Sequence, residues 1–149
     1  MGAKVVVISR GEGKRADAVG MGADGFIATE TDPDWVKENT GTLDLIVSTT
    51  ASAKMPIDGY IALLKTGGTL AQVGGPEEPI PLNCGALIYG NKRIAGSLIA
   101  NRSRIVEALQ LAADKAITPL VQVRPMAEAN QALVDMEDGK ARYRYVLVN

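Results

Sequence analysis

Three polar side chains stand close together near the start of the chain: Ser9, Arg10 and Lys14. They follow the apolar run Val5-Val6-Val7-Ile8, so a buried strand would end in a hydroxyl, a guanidinium and, a little further on, an ammonium. That set suits an anion. Serine donates one O–H, arginine presents a fork that fits two oxygens of a phosphate, and lysine adds a point charge. Glu12 intrudes, and must turn to solvent or pair with Arg15 for the cations to remain available. The plain alternative is a solvated basic loop, and residue types alone leave both readings open.

Two further runs of small residues can do less specific chemistry. Thr49-Thr50-Ala51-Ser52 and Val73-Gly74-Gly75-Pro76 each follow an apolar run. Small residues at adjacent strand ends let a flat ring lie against backbone, and Gly74-Gly75 can offer amide N–H groups to an amide or a pyrophosphate. Ordinary turn chemistry explains the same residues. Cys84 has no histidine to activate it and reads as a packing or loop residue. Asp44 reads as a strand residue, and Tyr60, Tyr89, Tyr143 and Tyr145 as half-buried packing. Arg142 and Arg144 read as an exposed charged edge.

The elements that must position these groups alternate regularly. Strands are expected at 3–9, 25–28, 43–48, 69–73 and 93–99, from short β-branched runs bounded by Gly, Ser and Thr. Helices are expected at 12–21, with Ala16, Val19 and Gly20 inward, from Asp32-Pro33-Asp34-Trp35 to about 40, at 56–64 and at 102–115. Lys65-Thr66-Gly67-Gly68 reads as a turn, and Asn101 as the cap of the 102–115 helix, whose apolar face is Ile105, Ala108, Leu109 and Ala112. After Thr118-Pro119 the pattern becomes strand, helix, strand: 121–123, a helix opened by Pro125, and 143–148. Strand-helix alternation implies an open, mainly parallel sheet whose ligands sit at the carboxyl ends of the strands. In a dinucleotide fold an acidic residue at the end of the second strand meets the adenosine ribose, whereas an arginine there accommodates a 2′-phosphate.

Composition narrows the chemistry. Sixteen Lys and Arg against seventeen Asp and Glu give a net charge of −1, with no sign of a nucleic-acid partner. No apolar run is long enough to span a membrane. Met1-Gly2-Ala3-Lys4 leads directly into a strand and leaves no room for a signal peptide, and one cysteine fits a reducing compartment, so a cytoplasmic protein is expected. The chain contains no histidine, which excludes an imidazole-based zinc site and a Ser-His-Asp triad within it.

The order of several segments carries a family resemblance. Gly2-Ala3-Lys4-Val5, the Ser9-Arg10 tip, Met21-Gly22-Ala23-Asp24, Phe26-Ile27-Ala28-Thr29 and Leu43-Asp44-Leu45-Ile46 follow one pattern. So do Leu63-Leu64-Lys65-Thr66-Gly67-Gly68, Ile94-Ala95-Gly96-Ser97 and the ending from Asp138 to Val146. Together they resemble the C-terminal half of zinc-containing medium-chain alcohol dehydrogenases, in the cinnamyl alcohol dehydrogenase-like branch. The resemblance implies NADP as coenzyme, with Ser9, Arg10 and Lys14 on its 2′-phosphate. It places Thr50, Val73 and Gly74 along the adenosine and nicotinamide, and Ser97 and Ile99 beside the nicotinamide. It implies a homodimer joined through the 93–99 edge strand.

The resemblance also defines what is missing. The family's first strand and Gly-rich turn, and its zinc-bearing catalytic domain, have no counterpart here. The expectation is a Rossmann-like sheet at 1–117 lacking that strand and turn, with a C-terminal strand-helix-strand extension at 118–149 that would return to the missing domain. Such a chain is expected to be inactive alone, with weak or lost NADP binding and no zinc. In the strand order 3-2-1-4-5-6 the absent strand is central, so 3–9 and 43–48 would lack a common neighbour. Either another segment fills that slot, such as Tyr145–Val148 from the same or a second chain, or the two strands pair directly. Two other functions remain in view: a non-enzymatic dimerising module, and a methyltransferase-like domain suggested by Leu64-Lys65-Thr66-Gly67-Gly68-Thr69-Leu70.

Overall fold

The structure, a computed structural model, describes residues 2–50, 52 and 54–149. The chain divides into two compact units, Met1–Leu98 and Ile99–Asn149. The first runs β1 (Val6–Ser9), α1 (Arg15–Gly20), β2 (Gly25–Ala28), α2 (Trp35–Asn39), β3 (Leu43–Ser48), α3 (Ile57–Leu63), β4 (Leu64–Gln72), α4 (Cys84–Ile88) and β5 (Arg93–Gly96). All its strand pairs are parallel: β1 with β2, and β3-β4-β5 in that order. This is the Rossmann-like α/β fold expected.

The local reasons are legible in the side chains. The Asp32 carboxylate accepts from the Asp34 N–H at 2.9 Å, turning the chain into α2, and α2 buries Trp35. Trp35 packs edge-on to Tyr60, with ring centroids 5.9 Å apart, and that burial raises the Tyr60 pKa. Ile61, Leu63, Leu64 and Leu70 are the largest fully buried side chains. They join Ile27, Trp35, Ile46, Met55 and Ile57 in one core. The expected turn Lys65–Gly68 lies within β4 as an irregularity: Leu43 pairs with Leu64 but Leu45 pairs with Thr69. Gly67 has φ +77°, a conformation that favours glycine, and its N–H donates to the Gly90 carbonyl at 2.9 Å.

Several expectations are corrected. The first strand begins at Val6, because the Val5 N–H is taken by the Asp24 carboxylate at 2.7 Å. The first helix starts with a 3-10 turn, Glu12–Lys14, and buries Ala18, whereas Val19 is exposed. Cys84 and Tyr89 are exposed. Within this chain neither the filling of the vacant strand position by Tyr145–Val148 nor direct pairing of the two strands is seen. β1 pairs only with β2, β3 pairs only with β4, and Tyr145–Val148 is engaged elsewhere.

The second unit comprises α5 (Arg102–Asp114), β6 (Val121–Pro125), a 3-10 turn (Met126–Glu128), α6 (Ala129–Glu137) and β7 (Arg144–Val148). Asn101 caps α5 by accepting from the Arg104 N–H at 3.1 Å, but Ile105 and Leu109 on its apolar face are exposed. β6 and β7 pair in parallel, so Val123 faces Val146 across the ladder. Between them and α6 sits Asp135, one of the few buried residues of this unit. It accepts from Arg124 at 2.8 Å, Lys140 at 3.2 Å and Gln131 at 3.1 Å. Arg124 also lies over the Tyr145 ring, 4.3 Å from its centroid.

Candidate functional site

The C-terminal end of β1 delivers Ser9, and the chain then turns through Arg10 and Gly11 into the 3-10 turn that ends at Lys14. The turn is fixed by backbone: the Ser9 carbonyl accepts from the Thr29 N–H at 2.9 Å, and the Arg10 carbonyl from the Glu30 N–H at 2.8 Å. These bonds tie the tips of β1 and β2 together and leave the Arg10 side chain exposed. Among the described residues no ion pair or side-chain hydrogen bond holds the Arg10 guanidinium.

Glu12 resolves as one of its two expected alternatives. It forms a two-point ion pair with Arg15, one arm of which is the Arg15 Nη2 donating to Glu12 Oε1 at 2.8 Å. The Arg15 hydrogen bond holds the Glu12 carboxyl below the usual carboxylate range. Arg15 also stacks 4.7 Å from the centroid of Phe26. The one nearby carboxylate of the turn is thus neutralised by a cation that is itself anchored. Arg10 and Lys14 are both exposed, and Arg10 follows Ser9 directly in the chain.

The ends of β3 and β4 form a second cluster. The Val73 and Gly74 N–H groups both donate to the Ser48 carbonyl, at 2.9 and 3.1 Å. A Cβ on Gly74 would fall 2.4 Å from the Thr50 carbonyl oxygen and 2.6 Å from that of Thr49. Only glycine lets these two strand tips approach so closely. Thr50, Val73 and Gly74 are therefore brought together as expected. The sequence reading missed the group that ties them: Gln72 Nε2 donates to the carbonyls of Thr50 at 2.8 Å and Gly74 at 2.7 Å. Its signal is an amide side chain closing an apolar strand just before Gly-Gly. The Gln72 Oε1 is buried with no hydrogen-bond partner among the described residues. Ser97 follows β5, its N–H donating to the Gln72 carbonyl at 3.1 Å. Ile99 belongs to the second unit and is exposed.

The β1 tip carries a hydroxyl and two cationic side chains, the donor types that suit a phosphate. For a metal, the chain has no histidine and a single exposed cysteine, and the described residues contain no cluster of three ligating side chains. No helix among them is long and apolar enough to cross a membrane.

The sequence profile of the zinc-binding dehydrogenases matches residues 1–114. The chain belongs to that family. It is 40% identical over 148 residues to alcohol dehydrogenase 9 of Catharanthus roseus, covering 99% of this chain and 40% of the relative. It is 38% identical to a probable cinnamyl alcohol dehydrogenase 6 of Arabidopsis thaliana, covering 98% of this chain and 40% of the relative. The structure superposes on a cinnamyl alcohol dehydrogenase of Sorghum bicolor with a TM-score of 0.91 at 34% identity, covering 97% of this chain and 40% of the other. It matches the Helicobacter pylori CAD solved with NADP(H) at a TM-score of 0.83 and 33% identity, over 99% of this chain and 41% of the other. This zinc-binding dehydrogenase chain thus spans about 40% of the length of such relatives.

Proposed function

We propose that this chain is the NADP-binding portion of a zinc-type alcohol dehydrogenase, whose parent reaction is hydride transfer between NADPH and an aldehyde. The carrying observation is the exposed Arg10 guanidinium that follows Ser9 at the β1 tip, with Glu12 paired to Arg15. When bound, the coenzyme supplies the hydride. The chain's own residues bind and orient. Ser9, Arg10 and Lys14 hold the 2′-phosphate. Thr50, Val73 and Gly74 line the adenosine and nicotinamide path, and Ser97 and Ile99 flank the nicotinamide. The zinc ligands belong to sequence outside these 149 residues, so the fragment alone does not catalyse the reaction and binds NADP weakly.

The test is a fluorescence titration of the purified chain with NADPH and with NADH. Tighter binding of NADPH supports the proposal. Equal binding, or none of either, overturns it. The exposed edge strand β5 favours a second property, a homodimer through 93–99. This reading retains the dimerising module as a role that accompanies nucleotide binding.

A further inference from the structure

Gln72 closes β4 and touches three strand tips of the candidate site. Its side-chain Nε2 donates to the carbonyls of Thr50 at 2.8 Å and Gly74 at 2.7 Å, and its own carbonyl accepts from the Ser97 N–H at 3.1 Å. The backbone ladder between β3 and β4 ends just short of this point, where the Val73 and Gly74 N–H groups share the Ser48 carbonyl. Past Ser48, among the described residues, the hydrogen bond that crosses to the β3 tip comes from the Gln72 side chain. The tips are in contact there, since a Cβ on Gly74 would overlap the Thr50 carbonyl oxygen. Two carbonyl oxygens gathered around one nitrogen repel each other, and the amide holds them by giving one proton to each. That arrangement fixes the orientation of the amide, because the reverse would set Oε1 against two acceptors.

The glutamine is a costly choice for this position. It lies two residues after the fully buried Leu70, on the same face of β4, and pairs across the ladder with the buried Ser48. An apolar side chain there would extend the core. The glutamine instead leaves its Oε1 buried with no hydrogen-bond partner among the described residues, and an unmet buried acceptor lowers stability. A residue that costs stability while it fixes backbone at a candidate site is the kind that function retains. We propose that Gln72 is a positioning residue of the coenzyme site: its amide sets the spacing between Thr50 and Gly74, and with it the path along which the coenzyme lies. This inference rests on the coenzyme reading proposed above and adds a residue to it. The Gln72 latch sits at the ends of β3, β4 and β5, whereas the 2′-phosphate is assigned to the end of β1. Its effect therefore falls on NADPH and NADH alike.

The experiment compares the full 149-residue chain with its Gln72→Leu and Gln72→Glu variants. Each is titrated with NADPH and with NADH by fluorescence, and thermal unfolding and amide hydrogen exchange are followed in parallel. Leucine keeps most of the bulk and removes both donors, while glutamate keeps the shape and turns an acceptor-only group onto two carbonyls. Gln72→Leu should weaken both coenzymes by the same factor, about three- to tenfold, and Gln72→Glu by more. Gln72→Leu should also unfold at the parent's temperature or above it, while its Val73 and Gly74 amides exchange faster. Unchanged affinity for both coenzymes in Gln72→Leu, or unchanged exchange at both amides, overturns the proposal and leaves the nucleotide reading in place. So does a loss confined to NADPH, which would put Gln72 on the 2′-phosphate. A loss that comes with a lowered unfolding temperature in Gln72→Leu overturns it too, because the residue is then structural only. A parent chain that binds neither coenzyme overturns the nucleotide reading itself, and this inference with it.

Discussion

At the scale of single residues, the β1 tip sorts cations by their partners. Arg15 is spent on Glu12 and Phe26, whereas the Arg10 guanidinium is exposed. Hydrogen bonds between charged groups contribute about 1.5–3 kcal/mol each, which is roughly ten- to a hundredfold in affinity. Arg10→Ala and Lys14→Ala should each weaken NADPH binding by about that factor and leave NADH binding within twofold, as measured by titration. A proportionate loss for both coenzymes would assign the two residues to folding instead. Gly74 and Gly75 make a contrasting pair. A methyl at 74 meets two carbonyl oxygens, while one at 75 meets nothing within 4 Å. Gly74→Ala should destabilise the chain by about 1–3 kcal/mol in urea unfolding, and Gly75→Ala by less than about 0.5 kcal/mol. The sequence announced both glycines alike. Their difference depends on how far β3 and β4 approach, which no local pattern records.

At the scale of elements, β5 is the strand on which the proposed dimer contact can be tested. Ser97 donates to Gln72, so Arg93 and Ala95 face β4 and the backbone of Ile94 and Gly96 faces outward. Ile94→Pro removes an outward donor and no bond of the β4 ladder, a position where an edge strand tolerates proline. Sedimentation should show a dimer for the parent and a monomer for Ile94→Pro, with matching circular dichroism. A parent that sediments as a monomer, or a proline variant that remains a dimer, would rule out this edge as the dimer contact. Elements were legible where periodicity and capping agreed: 25–28 and 43–48 match the expected strands, and Asn101 caps α5 as expected. They were less legible where tertiary contacts decide. Ala18 is the buried position of α1 because of what packs on it, whereas the helical pattern had pointed to Val19. The destination of β7 was also hidden, since its apolar alternation suits any partner and only the β6 ladder selects one.

At the scale of the whole molecule, the two units are stabilised by different physics. The first buries Ile61, Leu63, Leu64 and Leu70 around Trp35, the chain's only tryptophan, and such packing does not titrate. In the second, the buried residues among those described are Ala132 and Asp135, so the charge cluster replaces much of a core. Gln131, Arg124 and Lys140, in that order of effect, hold the Asp135 carboxyl at about 2, below its ordinary 3.8. A carboxyl depressed in the folded state stabilises above its unfolded value and loses that contribution as pH falls through the folded one. The window is therefore from about pH 4 down to about 2. Amides of β6 and β7 should lose exchange protection across that window, while Trp35 emission, which reports the apolar core of the first unit, holds until lower pH. Asp135→Asn should lower protection of the second unit at neutral pH and flatten its acid dependence, because no charge remains to be lost. If Trp35 and the β6–β7 amides respond at the same pH in both proteins, the cluster is incidental and the second unit owes its stability to something other than Asp135.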